Sequence, residues 1–134
     1  MKKIFVYGTL LNGFENHFYL KNARLIGKAF TKEQYHMTVA FIPFVSDDGH
    51  ENSNYIFGEV YEVDETDLRR VDQLEGHPYM YERRKIDVRL DDGSEMECWM
   101  YFYNGDKGHT EVESGNYYLW RYSNVMMRGM LSYD

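Results

Sequence analysis

Two short segments of this 134-residue chain carry residue types that could do acid–base chemistry beside a small anion. The first is Val6-Tyr7-Gly8-Thr9-Leu10, which closes the apolar run Ile4-Phe5-Val6. That run reads as a buried strand, and a glycine straight after it lets the backbone turn sharply and approach a ligand. Successive N–H groups in such a turn can converge on an anion or a developing oxyanion. The second segment is Leu74-Glu75-Gly76-His77-Pro78-Tyr79-Met80-Tyr81-Glu82-Arg83. Asp64-Glu65-Thr66-Asp67 upstream is a helix start, with an N-cap aspartate and acidic residues in the first turn. The helix runs to Glu75, where Gly76 and Pro78 stop it. At about 100° per residue, Leu68 and Glu75 are almost eclipsed, and Val71 and Asp72 flank that direction. Leu68 and Val71 must face the core, so Glu75 is aimed inward. Burial and the negative end of the helix dipole both disfavour its ionised form and raise its pKa, as a general base near neutral pH requires. A blander reading leaves Glu75 half-exposed beside the Gly76 cap.

The elements that must hold these groups read as follows. Leu11 to Leu20 suggests a loop and a short helical turn. Arg24 to Thr31 and Gln34 to Ala40 are two candidate strands, and Pro43 enforces extended or turn geometry. Asp47 to Asn54 is a polar connection, and Tyr55 to Val63 has strand composition. Tyr81 to Leu90 and Met96 to Tyr103 are strands joined at Asp91-Asp92-Gly93. The second of these is apolar on both faces and should lie centrally. A C-terminal helix over 116–123 and a mobile tail complete the chain. Many strands and few helices indicate an α+β fold, a small mixed β-barrel or strongly curved sheet with outer helices, formed as a single domain over residues 1–134. Tyr7 ends the strand that delivers the turn, Tyr81 follows Pro78 beside Glu75, and Tyr101 and Tyr103 sit on the central strand. Tyr7, Tyr81 and one or both of Tyr101 and Tyr103 should line one cavity.

Composition narrows the chemistry. A formal charge of −7, spread along the chain, argues against nucleic acid or an anionic membrane as partner. No apolar run approaches the length of a membrane span. Cys98 is the only cysteine, so no internal disulfide can form, and a cytoplasmic location is expected. His17, His36, His50, His77 and His109 are scattered with no i, i+4 pair, so no metal site is expected. Ser114 and Cys98 are conceivable nucleophiles, but neither sits in a nucleophile turn, and Ser114 reads better as a helix cap. Methionines near the C-terminus (Met126, Met127, Met130) suit helix packing or a weak homo-oligomer contact, and a monomer is equally compatible.

The two segments together resemble the γ-glutamyl cyclotransferase family, most closely its γ-glutamylamine branch. In that family a tyrosine-glycine-threonine-leucine turn cradles the substrate and a glutamate before glycine is the base. Tyr7, Gly8, Thr9 and Leu10 match the first, and Glu75-Gly76 the second. Gly13, Asn16, Pro78, Tyr81 and Arg83 also fit the family spacing, as does Gly58-Glu59-Val60-Tyr61. Ser114-Gly115-Asn116-Tyr117 is similar to a late serine-glycine-aspartate-tryptophan segment, with Asn116 and Tyr117 departing from it. Thr9 in place of serine points away from the glutathione-specific branch. The resemblance implies a cofactor-free cyclotransferase that takes a small γ-glutamyl substrate and releases 5-oxoproline and an amine. The competing reading is a non-catalytic module that binds a small metabolite or a protein on the same fold.

Overall fold

In the computed structural model, residues 1–105, 108 and 110–123 are described. The strands are β1 (Lys2–Val6), β2 (Arg24–Ala40), β3 (Ile42–Ser46), β4 (Asn54–Val63), β5 (Tyr81–Leu90), β6 (Glu95–Tyr103) and β7 (Thr110–Glu111). A single α-helix, α1 (Glu65–Glu75), lies between β4 and β5; residues 117–123 are also helical, and His17–Leu20 form one 3₁₀ turn. Strands β2, β4, β1, β6 and β5 hydrogen-bond in that order, and β2 pairs with β5 to close a five-stranded barrel. The sheet is mixed because β1 runs parallel to β6, with Ile4 opposite Trp99 and Phe5 opposite Met100.

The alternation of side chains along β1 explains the two cores. Phe5 and Tyr7 point into the barrel with Ala29, Val60, Val88, Met100 and Phe102. Ile4 and Val6 point the other way, under α1, with Tyr61, Val63, Leu68 and Val71. A strand buried on both faces must read as a continuous apolar run, which is how Ile4-Phe5-Val6 reads. β6 does the same, since Cys98, Met100 and Phe102 face the barrel while Trp99, Tyr101 and Tyr103 face the helix side.

The two strands expected over 24–31 and 34–40 are one strand. β2 carries register shifts against β4 between Leu25 and Gly27 and between Phe30 and Gln34. Such bulges bend a strand without ending it. The first half of β2 therefore belongs to the barrel, and the second half leaves it to pair with β3 and β7. α1 begins where expected, with the Asp64 carboxylate accepting from the Asp67 N–H at 2.7 Å. The cap of the C-terminal helical segment is Asn116, whose side chain accepts from the Leu119 N–H at 3.0 Å; Ser114 instead accepts from the Asn116 N–H. The tail, Met126, Met127, Met130 and His109 lie outside the described residues. Among the described residues no helix is long and apolar enough to cross a membrane.

Candidate active site

The end of β1 and the end of α1 meet at a cavity of about 40 Å³, lined by Tyr7, Gly8, Thr9, Leu10, Ile42, Pro43, Glu75, Tyr81 and Tyr101 among others. That volume has room for roughly three waters. Gly76 places Glu75 there. Its φ of 65° is left-handed, and the N–H groups of Gly76 and His77 turn back to the carbonyls of Gln73 and Asp72. This left-handed cap ends the helix one residue after Glu75, with the carboxylate on the face that carries buried Leu68 and Val71. Glu75 is half-buried, because one side of it meets the open cavity. Burial still raises its carboxyl from an ordinary 4.5 to about 7.

Across the cavity, Gly8 to Leu11 form a tight turn, with the Leu11 N–H donating to the Gly8 carbonyl at 3.0 Å. A turn closed in this way leaves the N–H groups of its two central residues, Thr9 and Leu10, out of its own bonding. Three further contacts hold its shape. The Asn16 amide donates to Thr9 Oγ1 at 2.9 Å, His17 Nδ1 pairs with the Leu10 carbonyl at 2.9 Å, and the Asn12 N–H donates to Glu59 Oε1 at 2.9 Å. Glu59 is a buried carboxylate that also accepts from the Tyr61 hydroxyl at 3.1 Å. Gly8 itself is required by a close approach: a Cβ there would fall 2.5 Å from Pro43 Cγ. Pro43 thus closes the floor behind the turn, and the space beyond Gly8 belongs to this ring, where the sequence suggested a ligand.

The tyrosines divide. Tyr7, Tyr81 and Tyr101 line the cavity, and burial raises the pKa of each. Tyr103 is not among the lining residues. It packs behind them, 5.2 Å from the Tyr81 ring and 4.3 Å from Phe44. Strand alternation is the reason for the shared side, since Tyr101 and Tyr103 both leave β6 toward α1, but Tyr101 reaches Asp72 of that helix while Tyr103 packs on Phe44 and Tyr81. The hydroxyl protons are already committed. Tyr7 donates to the Tyr101 carbonyl at 2.7 Å, Tyr81 to the Pro43 carbonyl at 2.9 Å, and Tyr101 to Asp72 Oδ1 at 2.5 Å. Toward a ligand these oxygens can only accept.

Two residues that sequence reasoning gave no role hold Tyr101 from behind the wall. Asp72 takes the Tyr101 hydroxyl and both of its oxygens accept from Arg83 Nε, at 2.9 and 3.2 Å. Arg83 in turn lies over the Trp99 ring at 4.4 Å. The signal for Asp72 was its place one turn before Glu75 on the same helix face. Cys98 is buried, with its thiol pushed up to about 12, so it is no nucleophile. The histidines do not all stand apart. β2 and the 47–53 connection bring His36 and His50 into a stack at 4.0 Å, beside Glu111 of β7.

The gamma-glutamyl cyclotransferase, AIG2-like family matches residues 4–119. A relative from Methanocaldococcus jannaschii is 52% identical over 118 residues, spanning 87% of this chain and 96% of its own. A gamma-glutamylaminecyclotransferase from Bos taurus is 39% identical over 110 residues, covering 73% of this chain and 63% of its own. The crystal structure of an AIG2-like protein from Mus musculus superposes with a TM-score of 0.69 at 33% identity, over 76% of each chain. The match runs from the strand that delivers the Gly8 turn to the helical segment after Asn116, and on that extent of agreement the chain belongs to the gamma-glutamyl cyclotransferase, AIG2-like family.

Proposed function

We propose that this protein is a cofactor-independent γ-glutamyl cyclotransferase that converts a γ-glutamyl amine, or a related γ-glutamyl amide, into 5-oxoproline and a free amine. The observation that carries this reading is Glu75, an inward carboxyl with its pKa near 7, lining the same small cavity as the Gly8–Leu10 turn. A base poised near the working pH removes a proton most effectively.

The reaction needs that proton moved. The substrate brings its own nucleophile, an α-amine that is largely an ammonium at neutral pH. Glu75 takes one proton from it, and the freed amine attacks the side-chain carbonyl carbon. Holding amine and carbonyl folded together makes the ring closure effectively unimolecular. The Thr9 and Leu10 N–H groups supply hydrogen bonds to the α-carboxylate or to the oxyanion of the tetrahedral intermediate. Collapse breaks the bond to the leaving nitrogen, which receives the proton from Glu75. Of the three hydrogens on the α-ammonium, one stays on the ring nitrogen and two leave with the amine. The tyrosine oxygens, able only to accept, suit the ammonium end of the substrate, and their rings keep bulk water from the base.

The reacting end of a γ-glutamyl group would enter this cavity, with the amine portion extending outward. Incubation with a panel of γ-glutamyl amines and peptides, assayed for 5-oxoproline, tests the proposal. Saturable binding without 5-oxoproline from any of them would replace the enzyme with a binding module.

A further inference from the structure

His36 and His50 are 14 positions apart in the sequence, and Glu111 follows much later, yet the fold gathers them at one place. A ligating atom from each lies within 4.8 Å of the others. His36 is buried, with 2% of its surface exposed, while His50 and Glu111 are half-buried and open the cluster to solvent. His36 Nε2 faces Glu111 Oε2 at 2.6 Å, and its Nδ1 faces Asp48 Oδ2 at 3.4 Å. His50 Nδ1 accepts from the Asn52 N–H at 3.0 Å.

We propose that His36, His50 and Glu111 form a binding site for a divalent transition-metal ion of the Zn²⁺ class. Two imidazoles and one carboxylate are a borderline-soft donor set that suits Zn²⁺, Co²⁺, Ni²⁺ or Cu²⁺ over Mg²⁺ and Ca²⁺. Metal-ligating histidines commonly give their second nitrogen to a carboxylate, which fixes the tautomer. Asp48 stands in that position to His36 Nδ1, leaving Nε2 for the ion. Ligand atoms on a four-coordinate zinc stand roughly 3.3 Å apart, the edge of a tetrahedron with bonds of about 2.0–2.1 Å. The Nε2–Oε2 pair therefore opens by less than 1 Å to admit an ion.

His50 must move further. Its ring is parallel to that of His36 within 3°, and parallel stacked rings cannot both aim in-plane lone pairs at one ion. Loading thus requires His50 to rotate out of the stack and release Asn52. Its position in the connection of residues 47–53, between β3 and β4, permits this. A fourth position is left for water. The ligands come from β2, from that connection and from β7, a strand of only two residues. An ion there would clip β7 onto β2. The site is separate from Glu75: His36 pairs with Ser46, three residues along β3 from Pro43, or roughly 10 Å. It does not depend on the cyclotransferase reading.

Isothermal titration of the untagged chain with Zn²⁺, and separately with Mg²⁺, tests the proposal. One Zn²⁺ per chain should bind, with release of protons, while Mg²⁺ shows no saturable heat. Zn²⁺ should raise the melting temperature in a way that a chelator reverses. His50→Ala and Glu111→Gln, both at half-buried positions, should each weaken Zn²⁺ by roughly tenfold or more, and Asp48→Asn by roughly 10–100-fold. Circular dichroism confirms that each variant is folded before titration, and Co²⁺ substitution should give a d–d spectrum that His50→Ala alters. Absence of saturable Zn²⁺ uptake at a several-fold excess would overturn the proposal. So would an affinity unchanged in both folded ligand variants.

Discussion

Replacing Glu75 by glutamine should make the protein more stable while removing its activity, and the stability gain should depend on pH in a specified way. A carboxyl with a pKa of about 7 in the folded state and an ordinary 4.5 unfolded binds protons more tightly when folded. Its contribution is therefore most favourable below about pH 4.5 and is lost as pH rises through about 7. At about 1.4 kcal/mol for each tenfold difference in proton affinity, the full cost of ionised Glu75 is about 3 kcal/mol. Glutamine has the size and hydrogen-bonding capacity of the protonated acid and never ionises. Glu75→Gln should thus match the wild type near about pH 4 and exceed it by about 3 kcal/mol near about pH 8. For a chain of this size that corresponds to roughly 10 °C in melting temperature. Denaturant melts at closely spaced pH values read this directly, and 5-oxoproline release in the same samples should fall by about 10²–10⁴-fold. A difference in stability that does not change between pH 4 and 8 would refute the claim that Glu75 is held proton-hungry by burial. Turnover close to wild type would refute its role as base.

Other outcomes follow from the same geometry. In the wild type, kcat/KM should rise with an apparent pKa near 7, that of free Glu75, whereas the pKa in kcat should be lower, because a bound ammonium stabilises the carboxylate; equal values in a full pH–rate series would argue that no cation sits beside Glu75. Gly8→Ala should raise KM and also lower stability by about 1–3 kcal/mol, since its Cβ must displace the Pro43 ring; KM and melting temperature measured together check both halves. Tyr81→Phe should cost about 1–3 kcal/mol by leaving the buried Pro43 carbonyl without its donor, which a denaturant titration reads. Asp72→Ala should lower kcat/KM by releasing Tyr101 and Arg83 from their shared carboxylate, with the loss in turnover partly restored by Asp72→Asn, which keeps an acceptor for the Tyr101 hydroxyl.

The sequence alone determined what is local and periodic. The span of α1 followed from the Asp64 cap, the Gly76 and Pro78 stop and the spacing of Leu68 and Val71, and that spacing also aimed Glu75 inward. Apolar runs marked β1 as buried and β6, apolar on both faces, as central, because a strand covered on both faces has no solvent side to pattern. What only the tertiary structure decided depends on distant chain segments meeting. The bulges that make β2 one bent strand arise from competition among four partner strands, which no window of residues contains. Tyr103 shares a strand face with Tyr101, yet it packs against Phe44 and Tyr81 behind the cavity. Gly8 read as room for a ligand, but Pro43, brought in by β3, fills the space directly behind it. The tyrosine hydroxyls and the bond from Asp72 to Arg83 were illegible for the same reason, as was the meeting of His36, His50 and Glu111. Hydrogen bonds between side chains remote in sequence leave no periodic trace, since each needs only one donor and one acceptor that the barrel happens to bring within 3 Å.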